Sequence, residues 1–323
     1  MPTFCRHGGL IEQCPICRST IIATPTKSTR GARTPAKRSP KAAGPARRAP
    51  ARGGLRIRQE ARAVDDGYRC QLVPGLRAEV EARQLARELG FASGRIALLG
   101  SDPPGLYGEV SSEPDIEQAT WLAFQIVMLS PLEADDPFAS IDAARTTWAS
   151  GDEPQLGSVQ RGPRSPLDPV RGQATLVAYR RWAAAAGSQR AAFTGDSGWS
   201  PERRFERVFE RLSLPGLGRQ GRYDLLVTLG GIGLYELRAP GLLLTDDDTT
   251  SRTAKRVFAI GDRLTLERRA DALVGEAGVR VEALDLALTN WQGSEPITLG
   301  VPATTLDHAA EAGALTALGL KAT

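Results

Sequence analysis

The chain has 323 residues, 41% of them hydrophobic and 24% charged, with 34 glycines, 22 prolines and a net charge of +4. That length suits about two domains, and its longest apolar run, WLAFQIVML at 121–129, falls well short of the roughly 18 residues that a membrane span needs, so no membrane-spanning helix is expected. The opening MPTFCRHGGL has no basic segment followed by an apolar one, so no secretory signal is expected, and a cytoplasmic location is.

The net charge conceals a segregation. Residues 1–59 hold 13 Arg and Lys against one acid, Glu12, whereas 60–323 hold 28 basic and 36 acidic residues. A basic arm on a mildly acidic body suits a polyanionic partner, nucleic acid first among them; a solvated, charge-rich tail is the alternative. Lysine is scarce: of the five, only Lys255 and Lys321 lie beyond residue 59.

In chain order, residues 5–17 come first, reading CRHGGLIEQCPIC. Cys5-x-His7 and Cys14-x-x-Cys17 supply four ligands in two short pairs, the spacing of two knuckles around one tetrahedral ion. A redox CxxC is the competing reading, but such a motif opens a helix after a strand, a context absent here. The expectation is one structural Zn2+ in a knuckle spanning 1–22, closed and without a catalytic position. Cys70 stands alone and reads as a small buried hydrophobe. Residues 23–59 are rich in Pro, Ala, Arg, Lys, Ser and Thr, without acids or aromatics. They cannot bury a core, which predicts a disordered basic linker able to track phosphates. Elemental analysis of the full chain is expected to give one zinc per molecule, lost in Cys14→Ser. A metal-free protein with freely titrating thiols would contradict this.

From residue 60 the periodicity is helical. Apolar spacing of three and four predicts a helix at 77–89 ending at Gly90, a buried one at 116–129 stopped by Ser130-Pro131, and another at 138–148. A Gly/Pro-rich loop follows at 151–170, then helices at 171–186 and 201–212. The latter opens on Ser200-Pro201-Glu202, an N-cap, a first-turn proline and an acid. Further helices are predicted at 219–229, 249–260, 263–274, 281–291 and 303–318, with a short β-hairpin within 94–110. The class is all-α, with residues 60–323 forming one helical domain.

Between the helices at 201–212 and 219–229 lies Leu214-Pro215-Gly216-Leu217-Gly218. Two helices joined by so tight a turn form a helix–hairpin–helix, here 201–230. Its glycines let the backbone approach a phosphate, and the N–H groups opening the second helix bind that anion. Leu214, Gly216, Gly218, Arg219, Gln220 and Arg222 are the expected DNA-backbone contacts, which read no sequence. The same glycines match a dinucleotide fingerprint, but that motif follows a strand, and RRFERVFERL is helical. A plain turn between helices, without DNA contact, is the other alternative.

This order of elements, an apolar helix ending WLAFQIVMLSPL, an LPGLGR hairpin, then LLLTDDDTTSRTAKRVF, resembles the helix–hairpin–helix DNA glycosylase superfamily. SPLEADDPF, LPGLGR, AKRVFAIGD and LTLERRA are similar to its alpha-glutamyl/putrescinyl thymine pyrophosphorylase branch. The resemblance spans about 75–292. It implies a fold of two helical subdomains with a base-flipping pocket between them. It also implies a carboxylate after the hairpin that stabilises an oxocarbenium-like sugar and orients water. By position that carboxylate is Asp248, with Asp247 next. Asp248 also reads as a simple helix cap, and anchoring on Arg256-Val257 puts Ser251 at the usual acid position instead. Members with a Schiff-base lysine after the hairpin glycines differ from this chain, which has Gln220 there, so excision would use water. No iron–sulfur cysteine set is present. Trp121, Gln125, Ser130 and Tyr223 are the base-pocket candidates, Trp121 by stacking and Gln125 by reading a Watson–Crick edge, with core packing as the alternative for each. His308 reads as a surface residue and Trp291 as core.

The functional expectation is therefore a monomeric, nucleoid-associated, monofunctional DNA glycosylase. Its partner would be double-stranded DNA with modified or hypermodified pyrimidines, in phage defence or modified-base processing. The alternative is a DNA-binding module that kept the fold and lost the chemistry.

Overall fold

A computed structural model describes residues 63–321 apart from 169, 246–247 and 294–295. The cysteine–histidine quartet, the basic linker and the candidate acid Asp247 lie outside the described residues. The chain divides into two units, Met1–Gln59 and Glu60–Thr323, and the described helices all belong to the second. Among the described residues every regular element is a helix, and none is long and apolar enough to cross a membrane.

The helices are α1 Glu79–Ser101, α2 Leu106–Ser112, α3 Ile116–Leu129, α4 Ala139–Ala144, α5 Gly172–Ala185, α6 Gln189–Thr194, α7 Pro201–Arg211, α8 Arg219–Ile232, α9 Thr249–Phe258, α10 Arg263–Ala277, α11 Val281–Gln292 and α12 His308–Ala317. They build two hydrophobic clusters. The first gathers α2 to α8 around α3, which is buried from Ala119 to Leu129 and packs on α8. The second brings the first and last described helices together: α1 lies against α11 and α12, with α9 and α10 completing the cluster. Each fully buried large aliphatic or aromatic side chain in these clusters contributes about 1.5–3 kcal/mol, so both halves carry cores of their own. The route of the chain, out of the second cluster after α1 and back into it at α9, makes α8 and the loops around it the seam.

Three expectations are corrected. The β-hairpin placed within 94–110 is instead the last two turns of α1 and the start of α2. Gly90 does not stop α1. It and Gly94 sit where the helix meets the α12 entry: a Cβ on Gly90 would lie 2.9 Å from Glu311 Cβ, and one on Gly94 3.0 Å from the Asp307 amide. These glycines serve close packing rather than termination. The helix placed at 138–148 ends at Ala144. Beyond it Thr146 and Trp148 are held against α3: the Gln125 amide exchanges two hydrogen bonds with the Thr146 peptide (2.8 and 3.1 Å), and Gln118 accepts from the Trp148 N–H at 2.7 Å. Short α6, unmarked in the periodicity, is started by Ser188, whose side chain accepts from Ala191 N.

Candidate nucleic-acid interface

Helices α7 and α8 meet in the turn that the sequence marked. Ser200 caps α7 through Arg203 N, Pro201 fills its first position, and Phe205, Val208 and Phe209 bury one face. Leu217 N closes onto Leu214 O at 3.0 Å. Gly216 takes φ +80°, and a Cβ there would lie 2.5 Å from Thr175 Oγ1, which itself donates to Pro215 O at 2.8 Å. Glycine is thus required twice over at this position, by conformation and by the approach of α5. Gly218 opens α8 with no side-chain cap and open space around it. An uncapped helix start on an exposed turn is a ready anion-binding surface.

The side chains of the turn point elsewhere. Arg219, expected on the DNA backbone, is turned wholly inward, its side chain 0% exposed. It donates to Leu242 O at 2.6 and 3.0 Å, to Asp248 Oδ2 at 3.1 Å and to Asp285 Oδ2. A guanidinium so enclosed cannot reach a phosphate in this conformation. Gln220 is half-buried and donates to Arg164 O at 3.0 Å. Arg222 lies over the Phe209 ring and donates to Phe209 O at 3.1 Å. Leu214 is half-buried beside the first cluster. What the hairpin offers a ligand is its backbone.

Behind the hairpin lies an ion network across the seam. Arg164, from the loop before α5, grips Asp224 of α8 with two bonds of 2.8 Å, reaches Asp285 of α11 at 2.5 Å and donates to Thr289 at 2.8 Å. Arg219 binds the other oxygen of Asp285. The Asp285 side chain, 2% exposed, therefore bridges two buried guanidiniums. Burial pushes its carboxyl up, but Arg219 and Arg164 outweigh this and hold it below the ordinary aspartate value. For both arginines burial works toward the neutral form, and the carboxylates outweigh it and leave them firmly charged.

Asp248 joins this network from the start of α9. Its Oδ1 accepts from Ser251 N at 2.7 Å, capping the helix, and its Oδ2 pairs with Arg219. Its side chain keeps 17% exposure. It immediately precedes α9, and Ser251 lies three residues further on, buried. Asp248 thus caps and pairs at once, and the first residue of the hairpin helix is tied through it to the start of α9.

The base-pocket candidates lie apart from this carboxylate and are packed internally. Trp121 is fully buried, stacked near Phe124 and Tyr179, with the Arg180 guanidinium 4.3 Å above its ring. Gln125 is saturated by Thr146. Ser130 is buried at the end of α3 with φ +60°. Tyr223 is buried, donates to Gly241 O at 3.2 Å, and burial raises its pKa. Of these four, only Tyr223 touches the network, under Arg219 at 4.8 Å. Sequence reasoning missed Arg164, Asp224 and Asp285. The signal was present in α11, where Asp285 interrupts the apolar stretch ALDLAL.

Asp285→Asn leaves Arg164 and Arg219 without their shared charge, at an expected cost of about 3–5 kcal/mol. The pH dependence follows from the lowered folded pKa. The stabilisation is complete above the unfolded aspartate value near ~4 and is lost as pH falls through the lower folded value. Urea unfolding from pH 7 to 3 is expected to show this acid loss in the wild type and a shallower one in the variant. Equal stability and equal acid response in both would contradict the assignment.

A family model described as alpha-glutamyl/putrescinyl thymine pyrophosphorylase clade 3 matches residues 165–298. This is about two-fifths of the chain and contains the hairpin, Asp248 and Asp285. No curated protein and no solved structure matches the chain. Over this segment the chain is similar to a family of enzymes named for acting on modified thymine.

Proposed function

We propose that the protein is an enzyme that processes modified thymine-class pyrimidines in double-stranded DNA, holding the duplex by the α7–α8 hairpin and using Asp248 as its carboxylate. The observation that carries this reading is the Arg219 bridge. It fixes Asp248 at a set position relative to the uncapped start of α8, so a backbone phosphate on the hairpin and the acid would stand in one frame. The similarity over 165–298 supports the modified-thymine substrate class. A carboxylate suits the task because cleavage of a base–sugar bond develops positive charge on the sugar, which a preorganised anion stabilises. Asp248 keeps partial exposure for that purpose. Water would be the nucleophile, since Gln220 occupies the position where a Schiff-base lysine would follow the hairpin glycines.

A second reading has its own observation. Both Asp248 oxygens are occupied, and Trp121 and Gln125 are sealed by Arg180 and Thr146. A DNA-binding module without chemistry would look the same.

The two part on one experiment. The full chain is incubated with duplexes carrying thymine or 5-substituted uracils, and released bases and altered nucleosides are weighed by mass spectrometry. The enzyme reading expects a product from a modified duplex, and Asp248→Asn is expected to lower its rate about 10²–10³-fold with DNA binding kept. Borohydride is expected to trap no adduct. Binding without any product gives the second reading, and a trapped adduct rules out the water mechanism.

A further inference from the structure

At the end of α8 remote from the hairpin, a cavity of about 360 Å³ opens between the start of α3, helices α6 and α7, and the loop that leaves α8. Ligand pockets run from about 300 to 1,000 Å³, so it has room for one small molecule. Helix α8 has 14 residues, which at 1.5 Å each sets its two ends about 21 Å apart. Half-buried Ile116 and Leu234 and the buried Tyr235 supply the apolar walls, and all three are held by the first hydrophobic cluster.

The polar groups around these walls differ in how far they are engaged. Arg204 is buried and donates to Thr194 O, Trp199 O, Glu236 O and the Glu236 carboxylate, at 2.8, 3.2, 3.0 and 3.0 Å. Thr120 gives its hydroxyl proton to Ile116 O at 2.6 Å, so the Tyr235 phenol donates to Thr120 at 2.7 Å and can otherwise only accept. Glu117, whose charge also reaches the phenol, accepts from the backbone N–H groups of Gln189 and Arg190, each at 2.9 Å. Arg190 itself is exposed, and its guanidinium pairs with no carboxylate among the described residues. It does act on Tyr235, opposing the burial that pushes the phenol up to about 12. The cavity thus joins an apolar interior to one guanidinium that has no ion-pair partner.

We propose that this cavity binds a small monocarboxylate with an apolar body, its ring or chain lying against Ile116, Leu234 and Tyr235 and its carboxylate paired with Arg190. The planar fork of arginine matches a carboxylate with two parallel N–H bonds. An anion is favoured over a cation because Glu236 already shares its charge with Arg204, whereas Arg190 is still open to a partner. Neither the hairpin nor the ion network of the seam lines the cavity, so the proposal stands whichever function the chain performs on DNA.

The test uses the full chain and calorimetric titration with benzoate and hexanoate, against benzamide and benzylamine as the neutral and cationic counterparts of benzoate. At least one of the two carboxylates is expected to bind, with benzamide and benzylamine at least about tenfold weaker. Arg190→Gln is expected to weaken the carboxylate about tenfold, a loss of about 1.4 kcal/mol. Its ligand-free melting temperature is expected to stay that of the wild type, since the exposed guanidinium holds no ion pair within the fold. Leu234→Glu, which places a like charge on the apolar wall, is expected to abolish carboxylate binding. Retained DNA binding in both variants would keep this site distinct from the hairpin. No binding of either carboxylate, wild-type carboxylate affinity in Arg190→Gln, or a preference for benzylamine over benzoate would overturn the proposal.

Discussion

Asp285 receives two guanidiniums in a place closed to water, and the rest of the site is arranged around that fact. Arg164 comes from the loop before α5, Arg219 from the first residue of α8, and the carboxylate from the middle of α11. Two halves of the helical body, each with its own hydrophobic cluster, are thereby joined by charge as well as by packing. Buried ions are costly to desolvate and are stable only when paired and fully hydrogen-bonded. Here the hydrogen bonds are supplied by Asp224, Thr289, Leu242 O and Asp248. Remove the shared carboxylate and each cation keeps a single carboxylate partner, Asp224 for Arg164 and Asp248 for Arg219. A site so constrained holds one geometry rather than several.

That single geometry is what makes the hairpin informative. The exposed turn at Gly216–Gly218 is backbone alone, and its neighbour Arg219 spends its charge inward on the start of α9. Arginine suits this role because its planar fork can engage Leu242, Asp248 and Asp285 at once. A lysine there would offer a single point charge. The same choice recurs at Arg164, Arg180 and Arg204, each buried or stacked and each serving several acceptors.

Much of the helical plan was legible because burial imposes a period close to 3.6 on the apolar residues, and α3, α7, α8, α10 and α11 lie near where that period puts them. The hairpin was legible because only glycine tolerates φ +80° against Thr175. What failed to show was direction and context. Gly90 reads as a stop until α12 is seen against it. Arg219 reads as a phosphate ligand until its first-turn position is seen to face the seam. Trp121 and Gln125 were legible as a stacking ring and an amide, but whether they met a base or their own chain depended on residues 145–152 lying over α3. Asp285 was the missed opportunity: an acid amid apolar helix neighbours has to find a buried cation.

If the buried ions govern the seam, Arg219 and Asp285 are energetically one unit holding the hairpin helix to the second cluster. A double-mutant cycle with Arg219→Met and Asp285→Leu, read by urea unfolding at pH 7, measures that coupling. Each single change is expected to cost about 3–5 kcal/mol, because each leaves a buried charge short of one of its partners, and the double change much less than their sum. Strict additivity of the two single effects would show that the pair is not coupled and that the hairpin helix is held by packing alone.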